Sequence, residues 1–433
     1  MRKVRRYAKL LLALLAVLLL SGCSMKTVDQ LYCLPKRSKA YDNLQAVIDR
    51  AMDGLTISAP MYGENRQTVQ LADLDGDGVD EYLLFARDQS EKPLKILIFS
   101  QLASGYVLMD TIEGYGMGFD FVEYAQLDDR PGLEIVVGRQ VSDQVVRSLS
   151  VYRFTSGIAR QLLSTGYSRL VVCDLDEDQQ QELFLLNHST SEDGKGHVAL
   201  YNYADGELQD SLEHSISMPA SAFSRFTEGK LEDGRQAIFV SCETEDKAMV
   251  TDIFVMQYDQ LQVVSKGVVT QAYQNYRVYP SDVDGDGIIE LANVVSTPEF
   301  EGVKRQNLLQ WYSLDENGSA TMKRLTYHNY AEGWFAVVDP DMISRLLVED
   351  DDEVTVFSLL EEGKKVIMLS IQALTDADRE EVAKQENRVV LYKGDAVIYV
   401  ADLSQEAKDR GITLEIIKGA FFPIRAEIAN EED

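Results

Sequence analysis

The chain has 433 residues, of which 45% are apolar and 26% are charged, a composition typical of folded globular protein and long enough for two or three domains. Its formal net charge of -29 argues against binding to nucleic-acid phosphates and against a polybasic membrane-binding patch.

The N-terminal segment has the pattern of a signal peptide. A basic stretch, MRKVRRYAK, precedes the apolar run LLLALLAVLLL, which is shorter than the roughly 20 residues of a spanning helix. The run ends at Leu20-Ser21-Gly22-Cys23, which resembles the lipobox of bacterial lipoproteins. This resemblance implies that residues 1–22 are removed and that Cys23 carries the lipid (palmitate) that anchors the chain on the extracytoplasmic face of the cell membrane. An ordinary signal peptide followed by a chance cysteine is the alternative.

Residues 23–54 are predicted to form a lipidated tether and a short helix. The helix would place Leu44, Val47, Ile48 and Met52 on one face and end near Gly54.

Three further cysteines, Cys33, Cys173 and Cys242, have no C-x-x-C spacing and so predict neither a zinc site nor a disulfide framework. Cys173 and Cys242 are expected to be buried thiols, and a single disulfide between them stays open.

An acidic loop precedes an apolar strand in the stretch LADLDGDGVDEYLLFA, residues 71–86. Its carboxylates stand at positions 1, 3, 5 and 9 of D-x-D-x-D-G-x-x-E: Asp73, Asp75, Asp77 and Glu81. Two carboxylates about 5 Å apart repel by roughly 3 kcal/mol at an effective dielectric near 20, and a bound cation reverses the sign. Gly78 permits the turn, and the carbonyl of Val79 could add a ligand. Hard oxygen ligands in a flexible loop favour Ca²⁺.

An EF-hand is excluded because its position 12 requires a bidentate Glu, whereas Leu84 stands there within a predicted strand. Acidic turns that merely cap strands in solvent are the other alternative.

The loop recurs along the chain. Two further copies keep all four acids: Asp174, Asp176, Asp178 and Glu182, then Asp282, Asp284, Asp286 and Glu290. Gln179 replaces the glycine in the first of these, and Ile288 offers its carbonyl in the second. Two degenerate copies cover residues 124–138 and 226–241, and Arg130 makes a calcium site in the former unfavourable.

The repeat spans roughly 50 residues, with several short strands in each unit, which predicts antiparallel sheets arranged around an axis. The loop and its strand resemble the FG-GAP/VCBS repeats of integrin-type β-propellers over about residues 55–320. The resemblance implies a mainly β fold, a calcium-binding β-propeller at 55–325, with Ca²⁺ held structurally by the three complete loops. Five units are clear. A sixth that uses LTISAP, residues 55–60, stays open, as does a larger blade number.

Residues 326–433 lack the acidic loop and are predicted to form a small α+β domain weakly similar to the PsbP/Mog1-like sandwich. Strands are predicted at 333–340, 353–360, 364–374, 388–394, 396–403 and 412–421, and helices at 375–386, with Thr375 as N-cap, and 404–411.

The sequence contains no H-E-x-x-H, G-x-S-x-G or P-loop motif. We therefore expect a non-enzymatic envelope lipoprotein whose propeller binds a protein or carbohydrate partner. Two alternatives remain: a glycan-active hydrolase or lyase with acidic residues in the propeller funnel, and an accessory lipoprotein for envelope assembly or a sensor.

Overall fold

The computed structural model describes residues 39–424, apart from 142–146, 189–192, 205, 211–212, 352–353 and 386–387. The predicted signal peptide, Cys23 and Cys33 lie outside the described residues. The described chain is mainly β, as predicted, and its strands form six antiparallel sheets in chain order.

A helix, α1 (Lys39–Ala51), precedes the first sheet. Sheet 1 contains β1 (Thr56–Ile57), β2 (Val69–Ala72), β3 (Glu81–Arg87), β4 (Leu94–Leu102) and β5 (Gly105–Gly114). Sheet 2 contains β6 (Gly118–Ala125), β7 (Glu134–Gln140), β8 (Arg147–Thr155) and β9 (Ile158–Tyr167). Sheet 3 contains β10 (Arg169–Cys173), β11 (Glu182–Asn187), β12 (His197–Ala204), β13 (Glu207–Asp210) and β14 (His214–Ser215).

Sheet 4 follows a 3₁₀ turn (Ala220–Ala222) and contains β15 (Phe223–Lys230), β16 (Gln236–Glu243), β17 (Met249–Gln257) and β18 (Gln260–Thr270). Sheet 5 contains β19 (Leu291–Ser296), β20 (Asn307–Leu314), β21 (Ala320–Asn329), β22 (Trp334–Val338) and the C-terminal β28 (Phe421–Pro423). After a second 3₁₀ turn (Pro340–Met342), sheet 6 contains β23 (Leu346–Asp351), β24 (Val354–Glu361), β25 (Lys364–Leu374), β26 (Arg388–Lys393) and β27 (Ile398–Leu403). Three short helices complete the fold: α2 (Arg379–Val382), α3 (Gln405–Asp409) and α4 (Leu414–Ala420).

The sheets stack face to face because their central strands are apolar on both sides. In β7, Ile135 and Val137 join a core with sheet 1, whereas Val136 joins a core with sheet 3. The alternation of side chains along a strand produces this division. The same pattern links sheets 3 and 4, sheets 4 and 5, and sheets 5 and 6.

Helices cover the two ends of the stack. The predicted helical face is confirmed, and Val47 and Ile48 pack on Leu84 and Leu97 of the outer face of sheet 1. At the other end, Val382 of α2 and the following Ala383 pack on Ile398 and Val400 of sheet 6. Within the described residues, no hydrophobic core cluster joins sheet 1 to sheet 6.

Strand β1 decides the place of LTISAP, which the sequence left open as part of a sixth unit. Thr56 and Ile57 pair with Arg87 and Ala86 of β3, so this segment belongs to sheet 1. Its two residues are too few to define a sheet without the longer strand beside it.

The C-terminal part departs from the prediction at two helices. Residues 412–421 were expected to be a strand, but Leu414–Ala420 is helical, with Thr413 Oγ1 accepting from Ile416 N at 3.3 Å. This N-cap outweighs the β-branched isoleucines that suggest a strand. The earlier helix begins at Arg379 after Asp378, not after Thr375.

The predicted boundary between residues 325 and 326 falls inside β21, and sheet 5 takes strands from both sides of it. A core cluster then joins Trp334 of sheet 5 to Phe357 of sheet 6. The similarity to the PsbP/Mog1-like sandwich stays a prediction.

Cys173 and Cys242 are buried and free, and both belong to the core between sheets 3 and 4. In the described part of the chain, no helix has the length and apolar character needed to cross a membrane.

Candidate metal centres

The three complete acidic loops each lead into an apolar strand near the start of a sheet. The loop after β2 leads into β3, the loop after β10 leads into β11, and the last lies between Ser281, which bridges to Glu290, and β19. The long apolar strand that follows anchors position 9 in the sheet, and the loop folds back over it.

The glutamate at position 9 closes each loop by accepting a hydrogen bond from the backbone N–H of position 2. The three bonds are Leu74 N to Glu81 Oε2 at 3.0 Å, Leu175 N to Glu182 Oε2 at 2.7 Å and Val283 N to Glu290 Oε2 at 3.0 Å. All three glutamates are buried. One carboxylate oxygen of each is thereby committed to the backbone.

The aspartate at position 1 organises the turn. Asp73 accepts from the N–H groups of Gly76 and Gly78 at 2.8 and 2.9 Å. Asp174 accepts from Asp178 and Gln179, and Asp282 accepts from Gly285 and Gly287, at 2.7–3.1 Å. The four acids therefore have different tasks, although the sequence motif presents them as equivalent.

Carboxylates from positions 1, 3 and 9 converge in every complete loop. The groups are Asp73, Asp75 and Glu81; Asp174, Asp176 and Glu182; and Asp282, Asp284 and Glu290. One oxygen from each member lies within 4.8 Å of the others. Twelve acids were predicted as ligands, and the structure brings nine of them together in threes.

The position 5 side chains do not join these groups. Asp77, Asp178 and Asp286 each accept a hydrogen bond from the backbone N–H two residues later, at 2.7–2.8 Å. Their participation stays a prediction, as do the carbonyl ligands Val79 and Ile288.

The donor set fits a hard divalent cation such as Ca²⁺. Glu290 is fully buried, and its Oε1 has no hydrogen-bond partner among the described residues. Oδ1 of Asp284 in the same group also lacks one, while its Oδ2 lies 3.7 Å from Arg324 Nε. Buried oxygens without partners are costly, and a cation between them removes that cost.

The electrostatics of the three glutamates agree with this reading. Burial raises the pKa of Glu290 to about 7 and that of Glu182 to about 8, and it also raises the pKa of Glu81. Neighbouring aspartates of each loop add to the upward shift of the pKa. Without a cation, the protein environment therefore opposes full ionisation of each group.

The loop at 174–182 carries backbone strain that the other two avoid. Glu177 and Gln179 have φ values of 62° and 74°, whereas the corresponding residues of the other loops are glycines. A left-handed conformation costs a non-glycine residue roughly 1–2 kcal/mol.

We expect Gln179→Gly to raise the free energy of unfolding by roughly 1 kcal/mol through the relief of backbone strain, although the greater entropy of the unfolded glycine chain offsets part of this gain. The same change should tighten cation binding at this loop. The matched control is Gly287→Ala, because an added Cβ there meets no atom within 4 Å and tests backbone strain alone. Gly287→Ala should lower the free energy of unfolding measured by urea denaturation. Equal stability of all three proteins would contradict the strain argument.

An arginine occupies the degenerate loop of sheet 2. Arg153 of β8 forms an ion pair with the buried Asp128 and approaches Glu134 Oε1 at 3.2 Å through its Nε. Glu134 Oε2 accepts from Leu127 N at 3.0 Å, the same closure as in the complete loops. The guanidinium thus supplies positive charge at carboxylates equivalent in the repeat to positions 3 and 9. Arg130 was expected to disfavour calcium here, but Arg153 is the residue that pairs with the two acids. The loop pattern could not predict this, because Arg153 lies on another strand, far from the loop in sequence.

Each loop also contacts a neighbouring sheet. Leu133 N donates to Asp73 O at 3.1 Å, and Gln181 N donates to Gln126 O at 2.7 Å. Lys230 Nζ pairs with Glu177 at 2.5 Å, and the Lys230 backbone forms a parallel bridge with Ile288. The loops therefore lie at the boundaries between sheets and are not confined to single repeats.

Comparisons with known proteins return distant structural likenesses. No family model matches the chain, and no curated protein matches it. The β-propeller domain of the Trilobed protease from Pyrococcus furiosus has 13% identity and a TM-score of 0.29, covering 72% of this chain and 94% of that one. Sqt1 from Saccharomyces cerevisiae has 10% identity and a TM-score of 0.30, covering 78% and 98%. A rhamnogalacturonan lyase from Bacillus licheniformis has 12% identity and a TM-score of 0.27, covering 72% of each chain. Likenesses of this size carry no functional conclusion.

Proposed function

We propose that this chain is a calcium-stabilised β-propeller of the FG-GAP type that binds a protein or carbohydrate partner without catalysing a reaction. Cys23 would anchor it by lipid to the extracytoplasmic face of the cell membrane. The observation that carries the calcium assignment is the buried Glu290 Oε1, which has no hydrogen-bond partner in the described part of the chain and lies beside two converging aspartates. Successive antiparallel sheets that pack face to face in chain order support a propeller-like arrangement of blades. Helices cover the outer faces of sheets 1 and 6, so these two sheets do not close a ring through a core cluster of described residues.

Calcium would act at the boundaries between sheets. Because Asp73 both belongs to a carboxylate group and accepts a backbone bond from sheet 2, a cation there would stabilise the contact as well as the loop. A rigid scaffold of this kind suits partner binding, in which preorganisation reduces the entropy lost on association.

Calcium stoichiometry tests the proposal. Isothermal titration of the EDTA-stripped full chain in detergent micelles should give three Ca²⁺ per chain, with the weakest site in the strained loop at 174–182. Each of the single substitutions Glu81→Gln, Glu182→Gln and Glu290→Gln removes one carboxylate charge. Each should lower the stoichiometry by one Ca²⁺ per chain. A stoichiometry of zero, or a stoichiometry that none of these substitutions changes, would mean that the loops are solvated turns.

One observation favours the alternative of a glycan-active enzyme. Glu123 of β6 and Glu228 of β15 lie on first strands of their sheets, away from the converging carboxylate groups. Desolvation is the main cause that raises the pKa of the half-buried Glu123, and the charges of Glu64 and Glu228 raise it further, whereas Glu228 itself is exposed. A carboxyl with a raised pKa is suited to general acid catalysis. Cleavage of a polysaccharide that is lost in Glu123→Gln and in Glu228→Gln would favour this alternative.

A further inference from the structure

An apolar cavity of about 270 Å³ lies between sheets 5 and 6, beneath α4. Its walls come from β22 of sheet 5, from β23, β24 and β25 of sheet 6, and from α4 with the residues on either side of it. Met342 of the second 3₁₀ turn also lines it. None of the nine converging carboxylates belongs to its walls, so neither the acidic loops nor the sequence motifs account for this cavity.

The walls of the cavity suit a hydrocarbon. Every side chain that lines it is apolar except that of Asp339, and most are aliphatic. Met342 and Met368 are flexible side chains that can adapt their shape to an occupant. A dry apolar cavity of roughly 150 Å³ is large enough to bind benzene, so the larger cavity here has room for an alkyl chain. A polar group buried among these walls would lose its hydrogen bonds to water without replacement.

Two residues of the wall lie at the protein surface and mark the mouth of the cavity. Ile416 of α4 lines the cavity and is 58% exposed, whereas the next residue of the helix, Ile417, is buried. Asp339 is exposed as well. A ligand with an apolar body can therefore bury that body and keep a polar head group in water.

The carboxylate of Asp339 favours a positively charged head group. Its Oδ1 accepts a hydrogen bond from Asp341 N at 3.0 Å, at the start of the 3₁₀ turn. No lysine or arginine among the described residues pairs with this carboxylate. Asp341 adds a second negative charge on the same turn, and the chain as a whole has a net charge of -29. A cationic head group complements this charge, whereas an anionic one is repelled.

We propose that this cavity binds an alkylammonium amphiphile. The alkyl chain fills the cavity beneath α4, and the ammonium group stays in solvent beside Asp339. Burial of the chain supplies most of the affinity, and the exposed ion pair adds selectivity for a positive head group. The proposal goes beyond the calcium sites and does not depend on them, so binding should be the same in Ca²⁺ and in EDTA.

Isothermal titration of the chain from residue 24 onward tests this site. This chain contains every described residue, and it needs no detergent, whose alkyl chains would compete for the cavity. The probes are octylamine, octanol and octanoate, which share one alkyl chain and differ in head-group charge. The control ligand is 1,8-diaminooctane, because its second ammonium group would have to enter the apolar part of the cavity.

We expect octylamine to bind more tightly than octanol by up to about fivefold, the range of an exposed ion pair, and octanoate to bind more weakly than octanol. The diamine should bind at least about tenfold more weakly than octylamine, because its buried end finds no partner. Attraction of cations to an acidic surface alone predicts the reverse order, since the diamine carries the larger charge.

Two pairs of variants separate the head group from the chain. Asp339→Asn should lower the affinity for octylamine to that for octanol and leave octanol unchanged, because the amide oxygen can still accept from Asp341 N. Asp341→Asn is its matched control, since Asp341 lies on the same turn but outside the cavity wall, and it should have the smaller effect. Ala420→Leu should fill part of the cavity and weaken all three probes. Gly419→Leu should not, because an added Cβ there meets no atom within 4 Å and the residue does not line the cavity.

Absence of binding by octylamine and octanol, or a diamine that binds as tightly as octylamine, would overturn the cavity as a binding site. This comparison needs no variant, so it decides the question even where Ala420→Leu fails to fold. Octanoate binding as tight as that of octylamine, or equal effects of Asp339→Asn and Asp341→Asn, would overturn the preference for a cation. Octylamine binding by a chain that binds no Ca²⁺ would contradict the calcium proposal alone, so the two failures are distinguishable.

Discussion

In 1 mM Ca²⁺, the chain lacking residues 1–23 should be more stable towards urea than in EDTA by about 2.7 kcal/mol for each site whose Kd is about 10 µM. Mg²⁺ should have a much smaller effect, because it demands stricter octahedral geometry and dehydrates reluctantly. The strained loop at 174–182 should contribute least, since part of its binding free energy offsets the left-handed residues.

Glu290→Gln provides the decisive variant for this prediction. The amide keeps the size of the side chain and can accept the bond from Val283 N, but it removes the buried charge that the protein environment disfavours without a cation. We therefore expect the variant to equal or exceed the wild type in EDTA and to fall below it in Ca²⁺. The two stability curves should cross as Ca²⁺ is added. Parallel curves at all Ca²⁺ concentrations would show that Glu290 is no ligand.

Loss of Arg153 should be the most damaging single substitution at the loops. Arg153→Met keeps much of the side-chain volume but leaves Asp128 and Glu134 buried without the cation, and breaking a buried ion pair in this way costs roughly 3–5 kcal/mol. Urea denaturation at neutral pH measures the loss. Arg153→Lys retains the charge without the planar guanidinium, and it should be intermediate.

The same variant gives a pH test with a defined sign. Burial raises the pKa of Glu134 above its ordinary value, and removal of the positive charge raises it further. A carboxyl whose pKa is higher in the folded than in the unfolded state binds a proton on folding, so stability increases as the pH falls through the folded pKa. Arg153→Met should recover part of its lost stability at mildly acidic pH. The triple variant with Asp128→Asn and Glu134→Gln should recover much of it at neutral pH, and failure of both recoveries would contradict the ion-pair explanation.

The sequence predicted most of the sheet architecture because the relevant signals are local. Apolar strands such as EYLLFA and EIVVG, each directly after a loop, occur where predicted, and α1 presents the expected face to sheet 1. The sequence also placed Gln179 at the glycine position of its loop, and this residue adopts the left-handed conformation that the glycines of the other loops adopt. The local signals failed at residues 412–421, where a threonine cap outweighs strand propensity.

The contents of the sites depend on residues far apart in the chain, and periodicity is silent about them. Arg153 reaches Asp128 from another strand, and the cavity beneath α4 takes its walls from β22, β25 and α4, which are far apart in the chain. The different roles of the loop acids could not be predicted either. Identical residue types at regular spacing do not show which carboxylates accept hydrogen bonds from backbone N–H groups.

The return of β28 to sheet 5 determines when the fold can be completed during synthesis. Sheets 1–4 are each built from consecutive strands and contact their sequence neighbours, so each can close soon after its last strand emerges. Sheet 5 differs, because Phe335 pairs with Phe422, which follows all the strands of sheet 6 in the chain. One edge of β22 stays unpaired until residues 421–423 have been made. Premature termination before residue 421 would therefore leave an otherwise assembled protein with an exposed β-edge, the kind of surface that promotes aggregation.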